Sequence, residues 1–201
     1  MNATPPIAIY RALMEVVKTR IACLRRLASG AISLGDQRLD WEAAALQLRM
    51  VLELIAFSSL CAHKDAYAAA HANFAKHWKA ALLLKELAQL HPDFYPQPVR
   101  LDHIKPDGTR HFGAVKDYLT QEEFVTLYNV CSRAVHTANP FGDLSPIDFG
   151  FGIGAWVGRI QALLDTHWIR LYESPQVWVV QMSAGPEGQV QIAVAEPKTA
   201  V

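Results

Sequence analysis

Four polar side chains in the second half of the chain have the types and spacing that phosphate chemistry uses. Asn129, Ser132, Arg133 and His136 recur at steps of three and four, which on a helix places them together on one face, roughly opposite the apolar stripe of Phe124, Leu127, Cys131 and Val135. An imidazole acts as general acid or base near neutral pH, a guanidinium steadies phosphoryl charge, and Asn or Ser orients either one. The set suits RNA or nucleotide phosphate chemistry without a metal ion. The plainer account is the ordinary polar face of an amphipathic helix, where a histidine near the C-terminus also suits the helix dipole.

Other chemical motifs give less. Gly150, Gly152 and Ala155 satisfy the looser dinucleotide-loop pattern G-x-G-x-x-A, but that loop needs a buried strand before it, and Pro140 to Phe149 reads as loop. Helix initiation and close helix packing explain these glycines better. The eight histidines form no His-Glu-x-x-His pattern and no Cys/His cluster, so neither a metal nor a cofactor is expected. Asp102, His103, Asp107 and His111 would meet across a short hairpin, and a solvated turn accounts for them. Serine-nucleophile elbows, phosphate-binding Walker loops, zinc fingers and DNA-specific motifs are absent.

The elements that position these residues follow from apolar spacing. Tyr10, Leu13, Val17, Ile21 and Leu24 make one stripe of a first helix, whose Arg11, Lys18 and Arg25 share another face. Asp40 is the expected N-cap of a second helix with Trp41, Ala45, Leu48, Leu52, Ile55 and Ser59 inward; on it, Arg49 and Glu53 stand four apart as an ion pair. A third helix is expected from Lys64 to Leu90, carrying His71, Phe74 and Trp78. Thr120 and Glu123 form a capping box at the start of the fourth helix, and Asn139 and Pro140 force its exit. A fifth helix carries Ile153, Val157, Ile160, Leu164, His167 and Leu171 as a continuous stripe.

Two stretches read as β. Residues 92–119 form an insertion holding a small hairpin, Val99 to Ile104 and Thr109 to Val115, and residues 176–196 form a C-terminal hairpin. The expected fold is therefore a single mainly α domain over 1–201, a bundle of about five helices with a small β insertion and a C-terminal β-hairpin, packed on the bundle or exchanged across a dimer.

Composition bounds the function. With 51% hydrophobic and 19% charged residues, the 201-residue chain has ample material for a core. Nineteen basic residues balance nineteen acidic ones, so no overall field draws it to nucleic acid. Cys23, Cys61 and Cys131 are odd in number and far apart, which argues against a disulfide framework and fits a cytoplasmic setting. No signal-like or membrane-spanning stretch is read.

The helix order, the Arg49 to Glu53 pair, and a polar helix end reading Ser132, Arg133, Ala134, Val135, His136 together resemble the HEPN superfamily over roughly residues 6 to 172. Members of that superfamily are helical bundles that often dimerise; many cleave RNA without metal through an arginine and a histidine separated by four to six residues, and others only bind nucleotides or partners. The resemblance implies a homodimer that binds RNA or nucleotide, with Arg133 and His136 as phosphate-handling residues and Asn129, Ser132 and Asn139 supporting them. The chain departs from the pattern in one respect. Only two residues separate Arg133 from His136, and Asn129, Val130 and Cys131 hold the places where the arginine would stand. Whether the protein is an enzyme therefore stays open, and the alternative is a non-catalytic dimeric interaction module, a partner in a defence or toxin-antitoxin system.

Overall fold

A computed structural model describes residues 5–70, 80–137, 141, 145–184 and 187–197. The first helix, α1 (Pro6–Ala28), buries Tyr10, Met14, Val17, Ile21 and Leu24, so the spacing-based stripe holds with Met14 in place of Leu13. The second, α2 (Gln37–Ala62), starts one turn earlier than expected. Asp36 is its cap, accepting from the Arg38 and Leu39 amides, while Asp40 turns back to accept from Leu34 N at 2.6 Å and Ser33 Oγ at 2.8 Å. Both aspartates have cap chemistry, and the loop geometry decides between them. The third-helix expectation is met at its ends, by α3 (Lys64–Ala70) and α4 (Ala80–Leu90); His71, Phe74 and Trp78 lie outside the described residues.

The hairpin expected inside residues 92–119 is present as β1 (Gln97–Ile104) and β2 (Arg110–Ala114). Its turn closes through Lys105 N to Thr109 O at 2.8 Å, with Gly108 at φ 82°, a left-handed value that glycine adopts without strain. Next comes α5 (Gln121–Ala134), whose capping box is complete: Glu123 N donates to Thr120 Oγ1 and Thr120 N to Glu123 Oε2. The same Glu123 carboxylate receives Arg159 of α6 (Ile153–Leu164) at 2.5 Å, and Arg159 also donates to the Tyr118 carbonyl. One side chain thus starts α5 and fastens α6 to it.

Glu123→Ala should therefore remove a cap and a half-buried ion pair together, lowering unfolding free energy in urea by about 2 kcal/mol. Burial opposes the Glu123 charge, but Arg159 and the capped backbone outweigh it and hold its pKa below the ordinary carboxylate value. This contribution is present above the unfolded carboxylate range and is lost as pH falls through the lowered pKa. A variant as stable as the parent at pH 7 would show that the capping box and the Arg159 pair add nothing.

The fold departs from the expected bundle after Leu164. The predicted fifth helix was to run on through His167 and Leu171, yet α6 stops and Thr166–Arg170 is a strand, β3. It joins β4 (Val177–Ala184) and β5 (Gln189–Ala195), the expected C-terminal hairpin, and on its other side meets β1 through Gln97 opposite Trp168 and Pro98 opposite His167. The result is one five-stranded antiparallel sheet in the order β2-β1-β3-β4-β5. Among the described residues six helices take 52% and strands 19%, so the molecule is mixed α/β and not a mainly helical bundle.

The physical reason is that Ile160, Leu164, His167 and Leu171 keep helical spacing, so periodicity alone runs the helix on. The segment from Thr166 to Arg170 is nonetheless rich in β formers and has two hairpins to pair with; its burial alternates, with His167 and Ile169 fully enclosed. The supposed insertion is consequently a sheet edge, and the C-terminal hairpin continues the same sheet from β3. Packing is shared between layers: α1 lies along α2 and reaches α6, β4 and β5, while α2 backs onto α4 and α5.

Candidate functional site

The inner side of α5 fixes where its outer side points. Phe124, Leu127, Tyr128 and Cys131 are buried, and Tyr128 OH donates to Glu53 Oε1 of α2 at 3.3 Å. Arg49 Nε meets the same oxygen at 3.1 Å, and its guanidinium carbon lies 5.4 Å from the Tyr128 ring centroid. With side-chain exposures of 21% and 18%, Arg49 and Glu53 form more than a surface pair along one helix; with Tyr128 they clasp α2 to α5. Burial opposes the Arg49 charge, but Glu53 and Tyr128 outweigh it and hold its pKa above the ordinary value. Burial, followed by the Glu53 charge, raises the Tyr128 phenol. Burial pushes the Cys131 thiol up to about 12, against the opposing pull of Arg49, so it is no thiolate nucleophile at neutral pH.

On the far side of α5, Asn129, Arg133 and His136 are exposed and Ser132 is half-buried. Ser132 Oγ donates to Tyr128 O at 2.7 Å, which spends its proton within the helix. The helix ends at Ala134, two residues before His136, and the His136 amide turns back to the Arg133 carbonyl at 3.4 Å. Among the described residues neither the Arg133 guanidinium nor the His136 ring has a hydrogen-bond or ion-pair partner. Asn139 lies outside the described residues. The polar set thus sits at an open helix end, with one member tied down and three facing solvent.

Other expected features resolve simply. Gly150, at φ 69°, takes Asp148 Oδ1 on its amide at 2.7 Å and leads into α6, and no strand precedes it among residues 145–149. Lys18, on the basic face of α1, is drawn to Glu15 at 3.1 Å and to the Gly188 carbonyl. Among the described residues no three His, Cys, Asp or Glu side chains gather as a metal site. A cleft of about 520 Å³ lies between β1, β2 and the end of α6, lined by Arg100, Lys116, Asp165 and Thr166 among others. A second, of about 450 Å³, is lined by His91, Asp93, Arg170 and Glu173 among others.

Sequence reasoning missed two buried histidine arrangements. His167 is fully enclosed, with Nδ1 against Leu164 O at 2.8 Å and Nε2 against Tyr10 OH at 2.7 Å. His63, the C-cap of α2, sets Nδ1 on Ser59 O and Nε2 on Arg170 O, both at 2.8 Å, and His91 Nε2 approaches that Arg170 oxygen at 3.3 Å. A neutral imidazole has one N–H and satisfies only one carbonyl, so these bonds favour the charged ring; burial acts against it and prevails, lowering the His63 pKa. Only the histidines themselves signalled this, since one partner of the His167 and of the His63 ring is a nearby backbone carbonyl without sequence signature and the other, Tyr10 or Arg170, lies more than a hundred positions away.

Fold and site together define a mixed α/β protein in which two hairpins distant in sequence meet at a central strand, with a polar helix end set apart from the sheet. Compared with known proteins, the chain matches no family, no curated protein and no solved structure.

Proposed function

We propose that the exposed end of α5 is a phosphate-handling face, that the protein is a HEPN-like binder of RNA or nucleotide acting in the cytoplasm, and that it cleaves RNA without metal. One observation carries the reading: Arg133, on the last turn of a helix whose inner side is held by Tyr128, Glu53 and Arg49, and His136, two residues past the helix end, are both solvent-exposed and have no hydrogen-bond or ion-pair partner among the described residues. A guanidinium free of carboxylates is available to a phosphate, and an unpaired imidazole beside it is available to move a proton. In this role Arg133 binds the phosphate, His136 acts as acid or base, and Asn129 and Asn139 add hydrogen bonds.

The test is incubation of purified protein with mixed RNA in excess chelator across neutral pH, with fragments resolved on a gel. Fragmentation supports the nuclease. Intact RNA that nevertheless binds, with affinity lost in Arg133→Ala, supports a binding protein only. Intact RNA and no binding would end the phosphate reading.

A second reading, a non-catalytic dimeric interaction module, draws on a different observation. Strands β2 and β5 both end the sheet, and Leu101 and Ile104 on the β1–β2 hairpin are 37% and 55% exposed. Open edges with apolar neighbours are where another chain adds on. Sedimentation of the purified protein over a concentration series separates a dimer from a monomer.

A further inference from the structure

The β1–β2 hairpin holds a pair of histidines in an arrangement that regular strand pairing would not produce. β1 is irregular between Leu101 and His103: Leu101 faces Phe112, and His103 faces His111, so Asp102 is an extra residue on its strand. In strict alternation His103 would share a face with Leu101. The bulge reverses it, and His103 and His111 stack across the strands with centroids 4.4 Å apart and planes 6° from parallel.

The bulge residue is otherwise engaged. Both Nε and an Nη of Arg100 donate to Asp102 Oδ1, at 3.1 and 3.0 Å. Its other oxygen lies over Gly113, where a Cβ would approach to 2.4 Å, so the backbone of β2 is bare where the carboxylate rests. The bulge charge is thereby matched without either imidazole, and among the described residues no hydrogen bond engages the His103 or His111 ring. His111 Nε2 is buried without a hydrogen-bond partner. A buried polar atom with no partner calls for a ligand, a water or an ion.

We propose that His103 and His111 bind a divalent transition-metal ion of the zinc, nickel or copper class. Neutral imidazole nitrogens suit this class, and two of them side by side chelate one ion while water fills the remaining positions. The parallel stack is the metal-free arrangement. Exposed His103 swings about its side-chain torsions so that one nitrogen from each ring converges on the ion, at the ~2.0–2.1 Å typical of zinc–imidazole bonds. Two protein ligands make this an open, exchangeable site, and ligation competes with protons, so occupancy falls as the imidazoles protonate.

The experiment is calorimetric titration of full-length protein lacking any polyhistidine tag with zinc chloride and, separately, nickel chloride, at pH 7.5 and pH 5.5. One saturable equivalent is expected at pH 7.5, at least about tenfold weaker at pH 5.5. His103→Asn and His111→Asn, which keep a polar side chain on the hairpin, should each weaken binding about tenfold or more, while His91→Ala should leave it unchanged. Circular dichroism of each variant separates lost ligation from lost fold, and broadening of the His103 and His111 ring resonances by nickel locates the ion independently of affinity. The proposal fails if the parent shows no saturable binding, if folded His103→Asn and His111→Asn bind as the parent does, or if nickel broadens other histidines instead.

Discussion

Unfolding free energy should fall on the order of 3 kcal/mol as pH drops from about 6.5 to about 4, and one enclosed histidine should account for most of the change. His167 has no exposed surface, and burial holds its pKa down to about 4, the Leu164 carbonyl opposing only in part. The neutral Nδ1–H tautomer suits the site: Nδ1 donates to Leu164 O, and Nε2 accepts from the Tyr10 hydroxyl. Above the unfolded value, near 6.5, both states are neutral and the group is indifferent to pH. Below it the unfolded chain takes up a proton that the folded chain refuses, so stability drains until the folded pKa is reached, then levels. His63, also lowered, acts in the same direction.

Urea denaturation at pH 7, 6 and 5 gives the slope, and the upper part of this window lies clear of the carboxylates that dominate further down. His167→Gln should flatten most of it. Tyr10→Phe should lower stability at pH 7 by about 1–3 kcal/mol, because it leaves Nε2 buried with no donor. A slope unchanged in His167→Gln would assign the protons elsewhere, with His63→Gln as the next variant to measure.

The second large effect concerns the proposed site. On the proposed RNase reading, His136→Ala should cut RNA turnover by about 10²-fold or more while moving the melting temperature by under about 1 °C, since an acid–base group contributes on that scale and an exposed residue beyond the helix end contributes little to stability. Arg133→Ala should instead weaken RNA binding and make it less sensitive to salt, because one fewer phosphate is neutralised, whereas lysine at that position should keep the salt dependence and lose only the forked contact. Turnover that survives both substitutions would move the chemistry off α5. Disturbing the clasp is a separate matter: Glu53→Gln leaves the helix end exposed but loosens its footing, so it should lower stability and turnover together.

What was legible in the sequence was what local chemistry decides. The Thr120–Glu123 capping box, the turn at Gly108, the β-rich run from Val177 and the buried stripe of α1 all depend on residues within a few positions of one another, and all stand where expected. Segment 166–170 was misread because its apolar spacing continues that of α6; the strand forms through hydrogen bonds to partners at 97–98 and 177–181, which no local pattern contains. That single segment turned an expected bundle with two accessory hairpins into a sheet. The polar set at 129–136 was legible as a spacing, while its foundation was not: Tyr128 looks like an ordinary core aromatic, and its contact with Glu53 spans 75 positions.

The first helix meets the last strand directly, because Glu15 accepts the Val190 amide at 2.6 Å and Lys18 reaches the Gly188 carbonyl. A ribosome releases these partners far apart in time, so α1 can lie along α2 early while the side that carries Glu15 and Lys18 stays uncovered until β5 has emerged. Closure of the molecule is thus a late, long-range event, and nascent chains halted before Gln189 should present α1 to chaperones as an unfinished surface.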